Sequence, residues 1–495
     1  MPTTAGNYYL TEDVTLASTW TVPTGKTQLC LNGHTIKYEN STTQSSVIKV
    51  PTGATLTITD CAETPGKITG GTGTKDDDYN TSLFQGGHYG GGILVQGTLN
   101  LYGGSIEGNQ IPTPEGSDDD GGGGVFVDGG DSEKNESPSA AFNMYGGTIK
   151  DNAADCGGTG VLCRNATFNM YGGTITGNAP ADNGQYFSGG VCLDDCAKMT
   201  MAGGEIHGNP TNNGQIYVTY GAELTVEGKN AVIGQDTDSD SLYLFYGGKA
   251  EIKSGAINAE VTVLQNRIDS TTGTLVNETK LTVSGGTLAG DVRVGRGANL
   301  IVSGGEIQGR VTVGSDDNDY YGGSTITLSG DPKISSISLS NTKNVITIDG
   351  ELTYGDPISV TKANGGIITD DWSTHMNGKT PEGYFVSAGD YQVRQEDGEL
   401  YLASPGTHTH EDTTEFKQDL NFIKPNQQGI YCITSGSDLN YFLSSDLTIG
   451  DSSSIDPTLY IGDGTDEITV NLCLNGYELT RPEGASVTGP VIIVR

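Results

Sequence analysis

The sequence predicts an all-β fold, a right-handed parallel β-helix in which short strands coil into a solenoid. Three observations predict it: a recurring Gly-Gly segment, apolar and polar residues that alternate with a period of two, and 75 glycines in 495 residues without a collagen-like period. Glycine accepts positive φ angles, so such a chain can bend every few residues. We therefore expect many short strands separated by tight corners.

The recurring segment alternates apolar and polar residues, bends at Gly-Gly, and returns an aliphatic residue to the core. Its copies are 100–109, 143–152, 169–178 and 200–209, with weaker copies at 283–288 and 302–307. The first four copies each follow an apolar strand, at 93–97, 125–129, 161–165 and 191–195. Two or three short strands per coil, with glycine at the corners, are typical of a parallel β-helix.

Stacked coils place equivalent residues about 4.8 Å apart, so columns of the repeat alignment become ladders in space. One such column holds an asparagine in each of the first four copies. Its members are Asn109, Asn152, Asn178 and Asn209. We expect this ladder to be structural, because stacked amides satisfy one another and the backbone at a corner.

The repeats divide the chain into four expected regions. They are an N-terminal β cap at 1–80, parallel β-helix coils at 81–330, terminal coils with a closing cap at 331–405, and a linker with the start of a second cap-like β unit at 406–495. The last region is predicted because 440–449 resembles 7–16, and 472–477 resembles 29–34.

The charge of the chain restricts its partners. Lys and Arg number 26 against 61 Asp and Glu, which gives a formal net charge of −35. Such a chain repels phosphate backbones and anionic membrane surfaces, so we expect no nucleic-acid partner. No apolar run approaches the length of a membrane span, so we expect no membrane insertion.

Metal and cysteine patterns are weaker signals. Asp-rich runs at 76–78, 118–120, 236–240 and 316–319 make Ca²⁺ a candidate ligand, but none has EF-hand spacing, and no cofactor is required by any motif. The eight cysteines lie in local pairs: Cys30 and Cys61, Cys156 and Cys163, Cys192 and Cys196, and Cys432 and Cys473. Disulfides in an exterior compartment and buried free thiols are both compatible with this pattern.

Several motifs carry a family resemblance. Tyr-Tyr-Leu-Thr at 8–11, Leu-Cys-Leu-Asn-Gly-His-Thr-Ile at 29–36 and the Tyr-Gly-Gly-Thr-Ile repeats resemble the large secreted or surface β-helix proteins of gut clostridia. More broadly, the chain is similar to the pectate-lyase-like superfamily of right-handed β-helices. The resemblance implies an extracellular or cell-surface protein with an adhesin-like or glycan-related role, and we expect the sequence to be a segment of a longer secreted protein.

One column carries candidate catalytic residues. The upstream strands end in Gln96, Asp128, Arg164 and Asp194. Stacking in register would place Asp128 and Asp194 about 9.6 Å apart, near the upper end of the roughly 6.5–9.5 Å used in inverting glycoside hydrolysis. One carboxyl would then protonate the leaving oxygen, the other would activate water, and Arg164 would hold a substrate group. The alternative is a surface ladder of alternating charges with little energetic effect.

Candidate ligand-binding residues lie in the loops that enter those strands and in the outward positions of the repeats. The first group comprises His88, Tyr89, Asp119, Asp120, Asp155 and Tyr186, and the second comprises Tyr102, Tyr145 and Tyr171. Asp195, which directly follows the last of those strands, is a further candidate. Aromatic rings stack on pyranose faces and carboxylates accept hydroxyl protons, which suits sugar binding. The alternatives are solvated loops and a tyrosine ladder that only stabilises the sheet.

Three functions fit these observations. The first is an extracellular module that binds host glycans or host proteins, as an adhesin does. The second is a carbohydrate-active enzyme, an inverting glycoside hydrolase or polysaccharide lyase, that acts through Asp128 and Asp194. The third is a structural stalk. The sequence favours the first and places any function on the early coils, from about 85 to 210.

Overall fold

The computed structural model describes residues 1–494 with internal gaps. The gaps are 41, 77–86, 113–119, 133–138, 156, 181–188, 211–212, 236–237, 316, 318–320, 354, 390, 404–409, 411–417, 435–438, 451–456, 463–467, 476 and 483–489. The chain folds into two compact units, Met1–Ser404 and Pro405–Arg495. The first unit is a right-handed parallel β-helix, which confirms the predicted fold class.

The first ladder of the β-helix is a 14-stranded parallel sheet. Its strands, in ladder order, are Gly6–Tyr9, Gly25–Cys30, Ala54–Thr59, Thr98–Leu101, Ala141–Met144, Thr167–Met170, Lys198–Met201, Glu223–Val226, Lys249–Ile252, Lys280–Val283, Asn299–Val302, Thr325–Gly330, Ile346–Leu352 and Thr369–Asp370. Each coil contributes one strand, so successive strands in the ladder are successive turns of the solenoid.

A 24-stranded sheet supplies two further ladders, joined by the long strands Glu306–Ser315 and Lys333–Leu339. The second ladder contains Trp20–Thr21, Ile48–Val50, Ile93–Val95, Val125–Asp128, Val161–Arg164, Val191–Asp194, Ile216–Val218, Asp240–Phe245, Glu260–Leu264, Val292–Gly295, the two long strands, Ile358–Lys362 and Phe385–Ser387. The third ladder contains Val14–Leu16, Thr35–Tyr38, Lys67–Thr69, Ser105–Glu107, Thr148–Lys150, Thr174–Thr176, Gly204–Ile206, Ala231–Ile233, Ala256–Ile257, Thr287–Leu288 and the same long strands. Two short antiparallel pairs interrupt the coils: Thr74–Lys75 with His88–Tyr89, and Arg267–Ile268 with Leu275–Asn277.

The core fills the space between the three ladders. Leu99, Phe142, Phe168 and Met199 occupy one position of the first ladder in four successive coils and are buried. The Phe142 and Phe168 rings stack with centroids 4.8 Å apart. The predicted period of two and the register of the four repeats are therefore confirmed.

A buried asparagine ladder runs along one corner, as predicted. The side-chain amide of each member donates to the side-chain oxygen of the next at 2.9 Å, from Asn109 to Asn152, Asn178 and Asn209. Gln215 ends the ladder by accepting from Asn209 at 2.8 Å. Each asparagine oxygen also accepts a backbone N–H of the coil before it. The column therefore adds side-chain hydrogen bonds at a corner where the described backbone forms isolated bridges, Gln110 with Ala153 and Ala153 with Ala179.

The last coils close the end of the first unit. The α-helix Trp372–His375, the 3-10 helix Pro381–Gly383 and an antiparallel sheet of Gly366–Ile367, Glu399–Ala403 and Gln392–Glu396 lie there. Trp372 is fully buried and packs on Tyr384 and Phe385, with ring centroids 5.6 and 6.0 Å away. These residues cover the apolar end of the stack.

The second unit repeats the beginning of the first. Its elements are the strands Gln418–Asp419, Tyr431–Ile433, Asn440–Phe442, Leu447–Thr448, Leu459–Ile461, Asn471–Cys473, Leu479–Thr480 and Ile492–Val494, and the 3-10 helix Leu420–Phe422. Tyr8 pairs with Leu29 in the first unit, and Tyr441 pairs with Leu472 in the second. The resemblance between these segments is thus one of strand pairing as well as of sequence.

The Leu-Asn-Gly corner of both units is built by the same contacts. Asn32 and Asn475 adopt positive φ angles of 51° and 50°. Their side chains donate to the carbonyl oxygens of Leu10 and Leu443, at 3.0 and 3.1 Å. This motif therefore has a structural explanation in each unit.

The ladders continue across the predicted boundaries. The first ladder pairs Ala54–Thr59 with Thr98–Leu101, and Thr325–Gly330 with Ile346–Leu352. The division of the chain near 80 and 330 stays a prediction. Within the part of the chain that the structure describes, no helix combines the length and apolarity needed to cross a bilayer.

Candidate functional site

In the coils from Ile93–Val95 to Ile216–Val218, the outer face of the second ladder is buried and carries a column of apolar residues. The strands there begin with continuous apolar runs, such as residues 125–127, in which alternate residues point inward. The residues that alternate with the inward-pointing ones face outward and form an apolar cluster separate from the main core. Its members are Tyr89, Leu94, Phe126, Leu162, Cys192 and Tyr217. Apart from Tyr89, the sequence-based prediction does not include the residues of this cluster. Its signal was the unbroken apolar run, which indicates a strand buried on both faces.

The predicted catalytic column lies on the same face, two residues further along each strand. Asp128 pairs with Arg164, and Arg164 pairs with Asp194, so the three stack in register as predicted. They are only 8%, 3% and 0% exposed. The alternative interpretation of a surface charge ladder is therefore wrong, because the outer face of these coils is buried.

Arg164 is the central cation of this cluster. Its Nη1 lies 3.7 Å from Asp128 Oδ1 and 3.8 Å from Asp76 Oδ2, and its Nε lies 4.0 Å from Asp195 Oδ2. Gln96 Nε2 donates to Asp128 Oδ2 at 3.0 Å. The column therefore contains a buried network in which one guanidinium contacts three carboxylates. Removing the cation from such a network leaves uncompensated buried charge.

Asp195 joins the cluster from a tight turn. It has a φ of 48°, directly after the strand Val191–Asp194. Its carboxylate accepts from the backbone N–H of Ser132 at 3.0 Å and from the Ser132 hydroxyl. The pKa of the Cys163 thiol is raised above its usual range, mainly by burial and further by the negative charge of the nearby Asp128 carboxylate. That thiol stays protonated at neutral pH and is no nucleophile.

The predicted loop residues have several locations. Asp119 and Tyr186 lie outside the described residues. The backbone N–H of His88 donates to Asp120 Oδ1 at 2.5 Å, and Tyr89 and Asp120 are fully buried. Asp155 is half-buried in the turn before Val161–Arg164. Their role as ligand-binding residues stays a prediction.

The predicted tyrosines form an exposed stack elsewhere, directly after strands of the first ladder. The rings of Tyr102 and Tyr145 have centroids 4.4 Å apart, and those of Tyr145 and Tyr171 are 4.8 Å apart. The planes diverge by only 8° and 11°. The three side chains are 51%, 40% and 48% exposed, in chain order. We call these three residues the tyrosine stripe.

An amide ladder flanks the tyrosine stripe. Asn143 donates to Asn100, and Asn169 donates to Asn143, both at 2.9 Å between side chains. The pKa of Tyr102 is raised above its usual range, mainly by desolvation and to a smaller extent by the neighbouring Tyr145. The Tyr102 hydroxyl is therefore neutral at physiological pH. The stripe thus offers phenol groups and amides beside aromatic rings.

Comparisons of this chain with known proteins find no relative. No family model matches the sequence, and no match is found among curated proteins or among solved structures. Among the described residues, no group of three or more His, Cys, Asp or Glu is arranged to hold a metal ion. Among the predicted site residues that the structure describes, Asp128, Arg164 and Asp194 lie on the buried face of the second ladder, and Tyr102, Tyr145 and Tyr171 form the exposed tyrosine stripe.

Proposed function

We propose that the chain is a carbohydrate-binding module of an extracellular or cell-surface protein, and that the tyrosine stripe is its binding surface. The observation that carries this proposal is the stack itself. Three parallel rings, each between 40% and 51% exposed, stand on the outside of three successive coils. Aromatic side chains carry large contact areas together with a polar group, which suits amphipathic ligands such as sugars.

The surroundings of the stripe favour a sugar over an apolar ligand. The amides of Asn100, Asn143 and Asn169 run beside the rings. Amides both donate and accept hydrogen bonds, as sugar hydroxyls do. The formal net charge of −35 disfavours strongly anionic glycans. The sequence resemblance to secreted or surface β-helix proteins of gut clostridia supports an extracellular location and an adhesin-like role.

The enzyme hypothesis has less support. A glycoside hydrolase needs both carboxyl groups to reach the scissile bond. Asp128 and Asp194 are only 8% and 0% exposed, and Asp128 contacts Arg164 and Gln96. The hypothesis stays open to a direct test: sugar release that disappears in Asp128→Asn would establish it.

The binding proposal is tested by probing a glycan array with the full chain. We expect retention of at least one glycan, and a loss of at least tenfold in affinity for the double variant Tyr102→Ala/Tyr171→Ala. Tyr9→Ala is a matched control, because Tyr9 is 68% exposed on the first strand of the same ladder but lies outside the stripe. Equal losses in both variants would refute the role of the stripe. Capture of a secreted host protein without any glycan would favour the protein-binding hypothesis, and no binding at all would favour the stalk.

A further inference from the structure

The tyrosine stripe belongs to a longer column that changes character at Ala202. The column holds the residue at one fixed position of the first ladder in each coil: Tyr9, Cys30, Thr59, Tyr102, Tyr145, Tyr171, Ala202 and Glu227. The backbone N–H of Tyr171 donates to Met144 at 2.8 Å, and that of Ala202 donates to Met170 at 2.8 Å. Ala202 therefore occupies the place where a fourth stacked ring would stand.

The missing ring leaves a slot beside Tyr171. Successive coils are about 4.8 Å apart, which matches the 4.4 and 4.8 Å between the stacked rings. Tyr145 covers one face of the Tyr171 ring, and the next coil carries Ala202, whose side chain is a methyl group, at the equivalent position. Glu227 follows one coil later. The slot is thus one coil high, which is the thickness that one further ring would need.

A surface depression of about 420 Å³ lies at this position. It is lined by Tyr171, Ala202, Gly203, Gly204, Glu205 and Asn230, among others. Its volume falls within the roughly 300–1,000 Å³ of small-ligand sites. A Cβ atom on Gly203 would come within 2.6 Å of the Tyr171 carbonyl oxygen, so this wall remains bare backbone.

We propose that this slot binds one pyranose ring of a glycan chain, stacked on the open face of Tyr171 in the place of the missing fourth ring. The inference rests on the proposed function, since it names the subsite through which the stripe would hold a sugar. Glu205 and Asn230 are exposed at the rim of the depression. Their side chains supply acceptors and a donor to the equatorial hydroxyls of a bound sugar.

The charge at the rim selects the class of sugar. Glu205 lies 3.5 Å from His207, and Glu227 lies 3.8 Å from Lys253, so each carboxylate already contacts one basic side chain. Even paired in this way, these two carboxylates belong to a chain of formal net charge −35, and together they disfavour an anionic ligand. The subsite therefore takes a neutral pyranose, a hexose or an N-acetylhexosamine, in preference to a uronic or sialic acid.

Filling the slot from within the chain tests the inference. The full chain is titrated with the methyl β-glycosides of glucose, galactose and N-acetylglucosamine and of glucuronic acid, using saturation-transfer NMR. Ala202→Tyr continues the stack, and we expect it to weaken binding of the best neutral glycoside at least tenfold. Thr59→Tyr makes the same kind of extension at the opposite end of the stripe, beside Tyr102, and should leave the affinity within twofold.

A second variant keeps the test decisive if Ala202→Tyr does not fold. Tyr171→Leu removes the ring face but keeps an apolar side chain of similar reach, and we expect the same tenfold loss. The subsite is overturned, and the proposed function stands, if both variants bind like the wild type while Tyr102→Ala/Tyr145→Ala loses binding. Preferential binding of the glucuronide overturns the selection for neutral sugars. The absence of any binding to these glycosides and to the glycan array overturns both proposals.

Discussion

Replacing Asn152 by alanine removes the middle of the buried asparagine ladder. Asn152 Oδ1 accepts from the backbone N–H of Asn109 at 3.1 Å and from its side-chain amide at 2.9 Å. Asn152 Nδ2 donates to the Ile106 carbonyl and to Asn178 Oδ1, both at 2.9 Å. The substitution therefore breaks four hydrogen bonds in a corner where the asparagines are at most 2% exposed.

The expected cost follows from the groups left behind. The Asn109 N–H and the Ile106 carbonyl each lose a buried partner, and a buried group without a partner costs about 1–3 kcal/mol. Asn152→Ala should therefore lower the local free energy of unfolding by about 2–6 kcal/mol. The matched control is Asn143→Ala, which breaks the same kind of amide ladder beside the tyrosine stripe. Water reaches that half-buried ladder, so we expect a cost below about 1 kcal/mol there.

Hydrogen exchange read by mass spectrometry suits this measurement, because solenoids can unfold in parts rather than in one step. Peptides that cover 105–111 and 148–154 should lose protection in Asn152→Ala, while peptides from the last coils stay protected. In Asn143→Ala both regions should retain most of their protection. Equal loss in the two variants would refute the reasoning, since only Asn152 bonds backbone groups that are shielded from water.

Three further predictions concern charge, redox chemistry and pH. Arg164→Met should lower the free energy of unfolding by about 3–5 kcal/mol in urea denaturation, because it leaves buried carboxylates without their cation. A change below about 1 kcal/mol, as for an exposed ion pair, would contradict a buried network around Arg164. The Sγ atoms of Cys30 and Cys61 lie 3.1 Å apart, so a thiol oxidant should join them, with a mass loss of two hydrogens that Cys30→Ser abolishes; persistence of both free thiols would oppose this. Burial raises the pKa of the Asp240 carboxyl above its usual 3.8, which favours the protonated form in the folded state. The stabilising contribution of the protonated Asp240 carboxyl is complete below pH 3.8 and is lost as pH rises through the folded-state pKa. Asp240→Asn should therefore raise the melting temperature at pH 7 and leave it unchanged below pH 3.8. An equal shift of the melting temperature at the two pH values would contradict a raised pKa for Asp240.

The ladders were predictable because a solenoid turns sequence spacing into geometry. Phe142 and Phe168 are equivalent in the repeat alignment, and they stack in the core for that reason. The alignment predicts Asp128, Arg164 and Asp194 in one column in the same way. Such predictions need only the repeat period and the alternation of side chains along a strand.

The contacts across loops were not predictable by the same argument. Asp76 approaches Arg164 from a segment that no repeat relates to it. The burial of the whole column depends on what covers the outer face of the second ladder, and the alignment does not contain that information. The unbroken apolar runs around Phe126 and Leu162 indicated burial on both faces, but not the chain segments responsible. Sequence periodicity therefore gives the position of a residue along the solenoid, whereas its exposure depends on tertiary packing.

The first-ladder column supports the proposed binding role over that of a plain stalk. A stalk needs no exposed aromatic residues, and beyond Ala202 the column becomes polar, with Glu227, Lys253 and Ser284. The stacked tyrosines are confined to three coils that also carry the buried asparagine ladder at another corner. That ladder joins these coils through side-chain hydrogen bonds, and a preorganised platform would lower the entropic cost of binding a flexible ligand. Aromatic rings and the asparagine ladder thus coincide in one short region, which supports the proposed binding surface over a tyrosine ladder that only stabilises the sheet.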